Sequence, residues 1–308
     1  MAVLYFAKIS VNNGIYEIYS DKEKLQKVLN ILYENMTKVS IELDDELDDE
    51  LGEISEFINN YKYILTIEKK DDSNQIILGR VTRRTYINLG DFDEDDETYE
   101  EKRSKNDRQI SFYFDIKNEV VVYNSKSYFG YKKFIKAFRK IINTCYPGEE
   151  TFEVELIKNY SDALEDIKGF KKIKSMTTVF IPPNANSEEF QILFGKKAKE
   201  NKDNNIVKEK NTLIADEKGL PINGEIVKRG LYLGILGYGT YEAEGIGKDD
   251  YPYSINSEDD HPLKEYIEDS VSGDLDYLRE FAKDKIEFLK RYRKILFKKF
   301  ISERKKNE

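Results

Sequence analysis

An α+β fold, with antiparallel sheets built from hairpins, packed helices and a helical C-terminus, is what this 308-residue sequence predicts. Three observations carry that expectation. Segments alternating apolar and polar residues are joined by turn signals such as Asn12-Asn13-Gly14 and Lys117-Asn118-Glu119, which is how hairpins are written. Other segments place apolar residues three and four positions apart, the helical period. The two kinds of segment do not alternate one for one, as a parallel sheet with crossover helices would require.

The elements follow in chain order. Residues 3–11 alternate as a strand, and Asn12-Asn13-Gly14 is expected to turn the chain into a second strand at residues 15–19. Ser20-Asp21 can cap a helix whose apolar positions are Leu25, Val28, Leu29, Leu32 and Met36. Nine carboxylates then fall between residues 42 and 56, with Leu43, Leu47, Leu51, Ile54 and Ile58 among them; the spacing predicts an amphipathic helix with an acidic outer face. Residues 61–68 and 75–89 read as strands joined by a polar turn at 71–74, and the charged stretch 91–108, which has no apolar period, as an exposed loop. Residues 110–116 and 120–123 form a hairpin. A helix over roughly residues 128–144 stacks Phe134, Phe138, Ile141, Ile142 and Cys145 on one face. Strands are expected at 151–157 and 174–181 around a short helix at 161–167, with Pro182-Pro183 stopping the second strand. A helix at 187–199, a strand at 206–216, a helix at 223–236 ended by Gly237-Tyr238-Gly239, a strand at 241–246 and a loop at 247–261 complete the middle of the chain. From Pro262 onward the pattern reads as helical, with Ser272-Gly273-Asp274 as a break and new cap. The last helix stacks Leu278, Phe281, Ala282, Leu289, Tyr292, Leu296 and Phe300. Three units are expected: an N-terminal α+β domain at 1–108, a central α+β domain at 109–250 and a basic helical segment at 262–308.

Composition narrows the chemistry. Apolar residues make up 39%, aromatics 13% and charged residues 35%. That suffices for a core, and is too charged for a membrane-inserted chain. Met1–Ser10 reads as a strand rather than a leader. One cysteine, Cys145, excludes an internal disulfide and fits a reducing cytosol. One histidine, His261, removes most histidine-based catalysis and metal binding. Asp91-Phe92-Asp93-Glu94-Asp95-Asp96 opens like a calcium loop, but the sixth position is Asp96 rather than glycine and the twelfth is Lys102 rather than glutamate.

The net charge of −9 is unevenly spread. On the helix near 128–144 the outward face carries Lys132, Lys133, Lys136, Arg139 and Lys140, and no carboxylate occurs from residue 127 to 148. On the last helix Lys290, Lys294 and Lys298 recur every fourth residue beside Arg291, and residues 281–308 hold eleven lysines and arginines against four acids. Such polarity suits phosphate-backbone contact through one face, with DNA or RNA as the partner. It equally suits a protein partner or self-assembly into a homo-oligomer.

An enzymatic alternative rests on Glu68-Lys69-Lys70, which ends an apolar strand in the E-x-K arrangement of restriction-type nucleases. There Glu68 would help hold Mg²⁺ and Lys70 would lie near the attacking water. Gly14-Ile15-Tyr16 matches half of a nuclease signature whose second half, Tyr-Ile-Gly, does not follow.

Three stretches together, Phe112 to Asn118 with the Phe-rich helix behind it, Phe180-Ile181-Pro182-Pro183-Asn184, and Gly237-Tyr238-Gly239, resemble uncharacterised bacterial and prophage proteins that accompany phage-defence genes. They are distantly similar to phage-exclusion proteins of the Rex A type. The resemblance spans roughly residues 1–250 and carries over no catalytic residue. It implies a DNA-binding sensor role. The expected function is therefore a cytosolic, non-catalytic protein of a phage-defence or prophage system that binds nucleic acid or a partner protein and uses no cofactor. The alternatives are a metal-dependent nuclease and a self-assembling structural subunit.

Overall fold

A computed structural model of the chain describes residues 1–15, 18, 22–44, 60–93, 98–125, 129–182, 200–201, 203–258 and 260–304. The class is α+β, as the sequence predicts. In chain order the described elements are β1 (Ala2–Val11), α1 (Lys22–Asn35), β2 (Val39–Asp44), β3 (Asn60–Asp71), β4 (Ile76–Asp93), β5 (Thr98–Asp115), β6 (Val120–Ser125), α2 (Tyr131–Cys145), β7 (Phe152–Leu156), α3 (Tyr160–Gly169), β8 (Phe170–Phe180), β9 (Glu209–Ile214), α4 (Glu225–Ile235), β10 (Gly239–Gly247), β11 (Pro252–Asn256), β12 (Lys264–Ile267) and α5 (Leu275–Arg304).

The main sheet is antiparallel and runs β12-β1-β6-β5-β4-β3-β2, with β7 also paired to β1. Strand β1, next to the β12 edge, has three partners: β6 pairs with Val3–Lys8, and β12 and β7 pair with Ala2–Tyr5 and Ala7–Val11. Because neighbouring residues of a strand point to opposite faces, this sheet buries both. Phe112, Phe114, Val121, Tyr123 and Ile9 face α1 and α2. Tyr113, Val122, Leu4 and Phe6 face α5. The first face is aromatic, with the Tyr123 and Phe134 rings stacked at 3.9 Å between centroids and Phe138 5.3 Å from Phe112.

A second antiparallel sheet, β11-β10-β8-β9, packs against α3 and α4 through Ile167, Met176, Leu231, Ile235 and Tyr241. The link from α4 to β10 needs its glycines. Gly237 has φ +76°, and at Gly239, φ +142°, a Cβ would lie 1.9 Å from the carbonyl oxygen of Val179. Any side chain at Gly239 would displace β8.

Helix α5 joins the two sheets. Asp274 caps it, its Oδ1 accepting from the amides of Asp276 and Tyr277 at 2.8 and 3.1 Å. Leu278, Ala282 and Ile286 bury against the main sheet, while Leu296 and Phe297 bury against Phe180, Leu233 and Tyr238. No helix among the described residues is long and apolar enough to cross a membrane.

The structure corrects several expectations. Residues 15 and 18 are helical rather than a returning strand. The chain leaves β1 by tying Asn12 and Asn13 to Thr151, and the Ile18 amide bonds back to Gly14. Glu42–Asp44 belong to β2, not to a helix; the rest of the acidic run, residues 45–59, lies outside the described residues, as does the helix expected at 187–199. Within the charged stretch 91–108, residues 91–93 and 98–108 are strand rather than loop, and 94–97 lie outside the described residues. Strands β4 and β5 pair in register from Ile76↔Asp115 to Asp93↔Thr98, and Arg84 and Asp107 form a two-point ion pair across them. The apolar period is missing because Lys105, Asp107, Arg108 and Gln109 are exposed, out beyond the core. Residues 252–256 and 264–267 are strands β11 and β12 where a loop and a helix were expected. Both are edge strands, of five and four residues respectively, too short to show a period. The expected division after residue 108 falls inside β5, and the 262–308 segment contributes β12 to the main sheet as well as α5.

Candidate nucleic-acid interface and the cavity beneath it

The two basic helix faces differ in how their charges are engaged. On α2, Arg139 pairs with Glu153 at 2.8 Å, Lys140 donates to the Glu42 carbonyl at 2.7 Å, and Lys133 sits 5.9 Å over the Tyr61 ring. Lys132 and Lys136 are exposed but also engaged. On α5, Lys290 pairs with Glu287 at 2.7 Å, whereas Arg291, Lys294 and Lys298 are exposed and make no hydrogen bond or ion pair among the described residues. Beside them Phe288 is 57% and Ile295 62% exposed.

Glu68 and Lys70 are not brought together. Glu68 pairs with Arg80 at 2.9 Å, at a bulge between Ile67 and Lys69. Lys70 reaches the C-terminus of α1 and donates to the carbonyls of Tyr33 and Glu34 at 2.6 and 3.3 Å, where a cation meets the negative end of the helix dipole. Among the described residues no three His, Cys, Asp or Glu side chains are grouped to hold a metal. His261 bonds through Nε2 to Asp166 at 2.5 Å.

Where α5 passes from one sheet to the other it roofs a cavity of about 450 Å³. The main sheet supplies Lys8 and Val120, the connection after β7 supplies Ile157 and Lys158, the end of α4 supplies Ile235, and α5 supplies Ile286, Leu289, Lys290, Arg293 and Leu296. The wall is mostly apolar. Its charged members among the described residues are Lys8, Lys117, Lys158, Lys290 and Arg293, with no carboxylate among them. The backbone at 157–159 is pinned from three sides: Ile157 N to Phe6 O, Lys158 N to Ile235 O and Asn159 N to His261 O, all within 3.0 Å.

These cations are held differently. Lys8 is buried and donates to Glu119 at 2.6 Å and to the Asn118 carbonyl at 3.1 Å. Arg293 bonds the Tyr238 hydroxyl at 2.6 Å and lies over its ring. Lys158 is 4% exposed and has no hydrogen bond or ion pair to its ammonium among the described residues. Burial pulls its pKa down from 10.5 to about 8, partly opposed by Glu155 and Glu258. Burial pushes Glu155 up from 4.5 to about 7, with Glu153 adding to the effect.

That carboxyl gives a pH prediction. Its folded value lies above its unfolded one, so the folded chain keeps a proton that the unfolded chain loses, and stability falls as pH rises from about 4.5 to 7. Glu155→Gln should stabilise the protein at pH 8 by up to about 3 kcal/mol and change little at pH 4. Urea unfolding of both proteins across this range checks it; parallel stability curves would contradict it.

Of the residues expected from sequence to bind nucleic acid, only Lys290 lines the cavity. Lys8, Lys117, Lys158 and Arg293 were not singled out. Lys8 had a readable signal, a cation inside the apolar strand Ala2–Val11; Lys158 had none.

A family model described as a domain of unknown function (DUF4747) matches residues 56–283. No curated protein matches the chain. The matched stretch contains Lys117 and Lys158 and stops short of Lys290, Arg291, Lys294 and Lys298.

Proposed function

The chain belongs to the DUF4747 domain family, and on that premise we propose that it is a non-catalytic nucleic-acid-binding protein whose contact surface is the outward face of α5. The family's description assigns no activity, so the reading rests on residues. One observation carries it. Arg291, Lys294 and Lys298 stand exposed without ion-pair partners among the described residues, interleaved with exposed Phe288 and Ile295. Exposed cations with no hydrogen bond or ion pair among the described residues are available to phosphates, and an exposed aromatic beside them offers a base a stacking surface. The α2 face supports this less, since its cations are already engaged. A phage-defence or prophage setting is the context that the resemblance of Phe112 to Asn118 and Gly237-Tyr238-Gly239 suggests. The nuclease alternative is weaker, because Glu68 and Lys70 serve Arg80 and the end of α1.

Anisotropy titrations of labelled single- and double-stranded DNA and RNA at about 50 mM salt test the reading. The chain carrying Arg291→Glu, Lys294→Glu and Lys298→Glu should bind at least tenfold more weakly. Its salt dependence should be shallower by about 2–3 in log–log slope, one released counterion for each lost phosphate contact. Lys132→Glu with Lys136→Glu should change binding little. Wild-type protein that retains no nucleic acid under these conditions would remove the proposal.

A further inference from the structure

We infer that the cavity under α5 is a binding site for a small amphipathic anion, a molecule with one carboxylate or phosphate head on an apolar body. Its size falls in the range of small-molecule sites, about 300–1,000 Å³. Ile157, Ile235, Leu236, Leu263, Ile286 and Leu289 supply the walls for an apolar body. The head is specified by charge. Among the described residues five cations and no carboxylate line the space, and two of the cations are already neutralised, Lys8 by Glu119 and Lys290 by Glu287. Lys158 is the informative one. On a residue only 4% exposed, and without a hydrogen-bond or ion-pair partner among the described residues, its ammonium bears a desolvation cost that Glu155, Glu258 and Asp260 offset only in part. An anion entering the cavity supplies the missing partner.

The depressed Lys158 pKa agrees with this geometry, and an anion bound there would raise it. The pinned backbone at 157–159 fixes the ammonium's place before the ligand arrives, so little ordering opposes binding. Lys117, exposed at the cavity, would draw the ligand in. This site shares Phe288 with the α5 outward face but none of Arg291, Lys294 and Lys298, the cations on which nucleic-acid contact rests. Either can fail without the other.

Two dyes with the same aromatic body separate the two halves of the site. 1-Anilinonaphthalene-8-sulfonate carries an anionic head, and N-phenyl-1-naphthylamine has none. Fluorescence titration of the full chain should show saturable one-to-one binding, with the sulfonate preferred at least tenfold. In Lys158→Met that preference should fall to near unity while far-UV circular dichroism and the melting temperature are retained. Leu289→Trp, which fills the cavity, should abolish binding of both dyes. Displacement of the sulfonate by 1-naphthoate or by 1-naphthyl phosphate then tells a carboxylate ligand from a phosphate one. Absence of saturable dye binding to the wild type, displacement by neither competitor, or an unchanged sulfonate preference in Lys158→Met would overturn the inference. None of these results depends on whether nucleic acid binds.

Discussion

Ending the chain after Gly273 should yield insoluble or unfolded protein. Helix α5 covers the buried part of one face of the main sheet, where Leu4, Phe6, Tyr113 and Val122 pack against Leu278, Ala282 and Ile286. It also closes the patch of Phe180, Leu233 and Tyr238 with Leu296 and Phe297. Five buried apolar side chains at about 1.5–3 kcal/mol each are worth on the order of 10 kcal/mol, against a net stability of about 5–15 kcal/mol for a whole domain. The loss is comparable to the total. Soluble yield, circular dichroism and sedimentation of the truncated chain check it. A soluble, folded product of monomer mass would show that the helix packs on nothing essential.

Lys8→Met should cost about 3–5 kcal/mol, and a second change should recover much of it. Lys8 and Glu119 are both buried, at 6% and 9% exposure, and meet at 2.6 Å. Removing the ammonium leaves a buried carboxylate with its counter-charge gone, and stranding one member of a buried pair is what costs most. Lys8→Met with Glu119→Gln removes both charges, and the remaining amide still has the polar edge of the 116–119 turn beside it. The double variant should therefore lie within about 1–2 kcal/mol of the wild type. A full cycle by urea unfolding measures the coupling; additive effects would mean that the pair contributes nothing as a pair.

How far the structure could be read from the sequence depended on how locally each element is specified. Helices α1, α2 and α4 were legible because Leu25–Val28–Leu29–Leu32, Phe134–Phe138–Ile141 and Val227–Leu231 write their own period. The β5–β6 hairpin was legible from its turn, where Asp115 holds the Asn118 amide at 2.9 Å. The outer part of the β4–β5 ribbon was not, because strands that leave the core keep their pairing and lose the apolar alternation that advertises it. Residues 15 and 18 were misread for the opposite reason: Ile15 and Ile18 are both buried, and two apolar residues three apart amid other apolar residues fit either period.

The candidate site was less legible. The cations of α5 could be read because a helix displays its faces in sequence. The cavity could not, since residue 8, residues 117–120, residues 157–160, the end of α4 and α5 meet only in three dimensions. Nothing local to Lys158 distinguishes it from an exposed lysine, and the cavity it lines is shared with Ile235 and Leu296, more than 70 residues away in sequence.

The position of β1 dictates an order of events during synthesis. Its outer partner at Ala2–Tyr5 is β12, and the Met1 amino group meets Asp269 at 2.7 Å. Strand β1 therefore has β6 to pair with early and must wait for residues 264–267 before that edge is closed, and for 278–286 before its Leu4 and Phe6 side are covered. Until then a nascent chain displays an open strand edge and a broad greasy surface at once. Contacts so distant in sequence slow folding, and such intermediates are those that aggregate or engage chaperones. Yield in a fast, warm expression culture should accordingly improve when translation is slowed or a holdase is co-produced, a dependence arising from where one strand sits in one sheet.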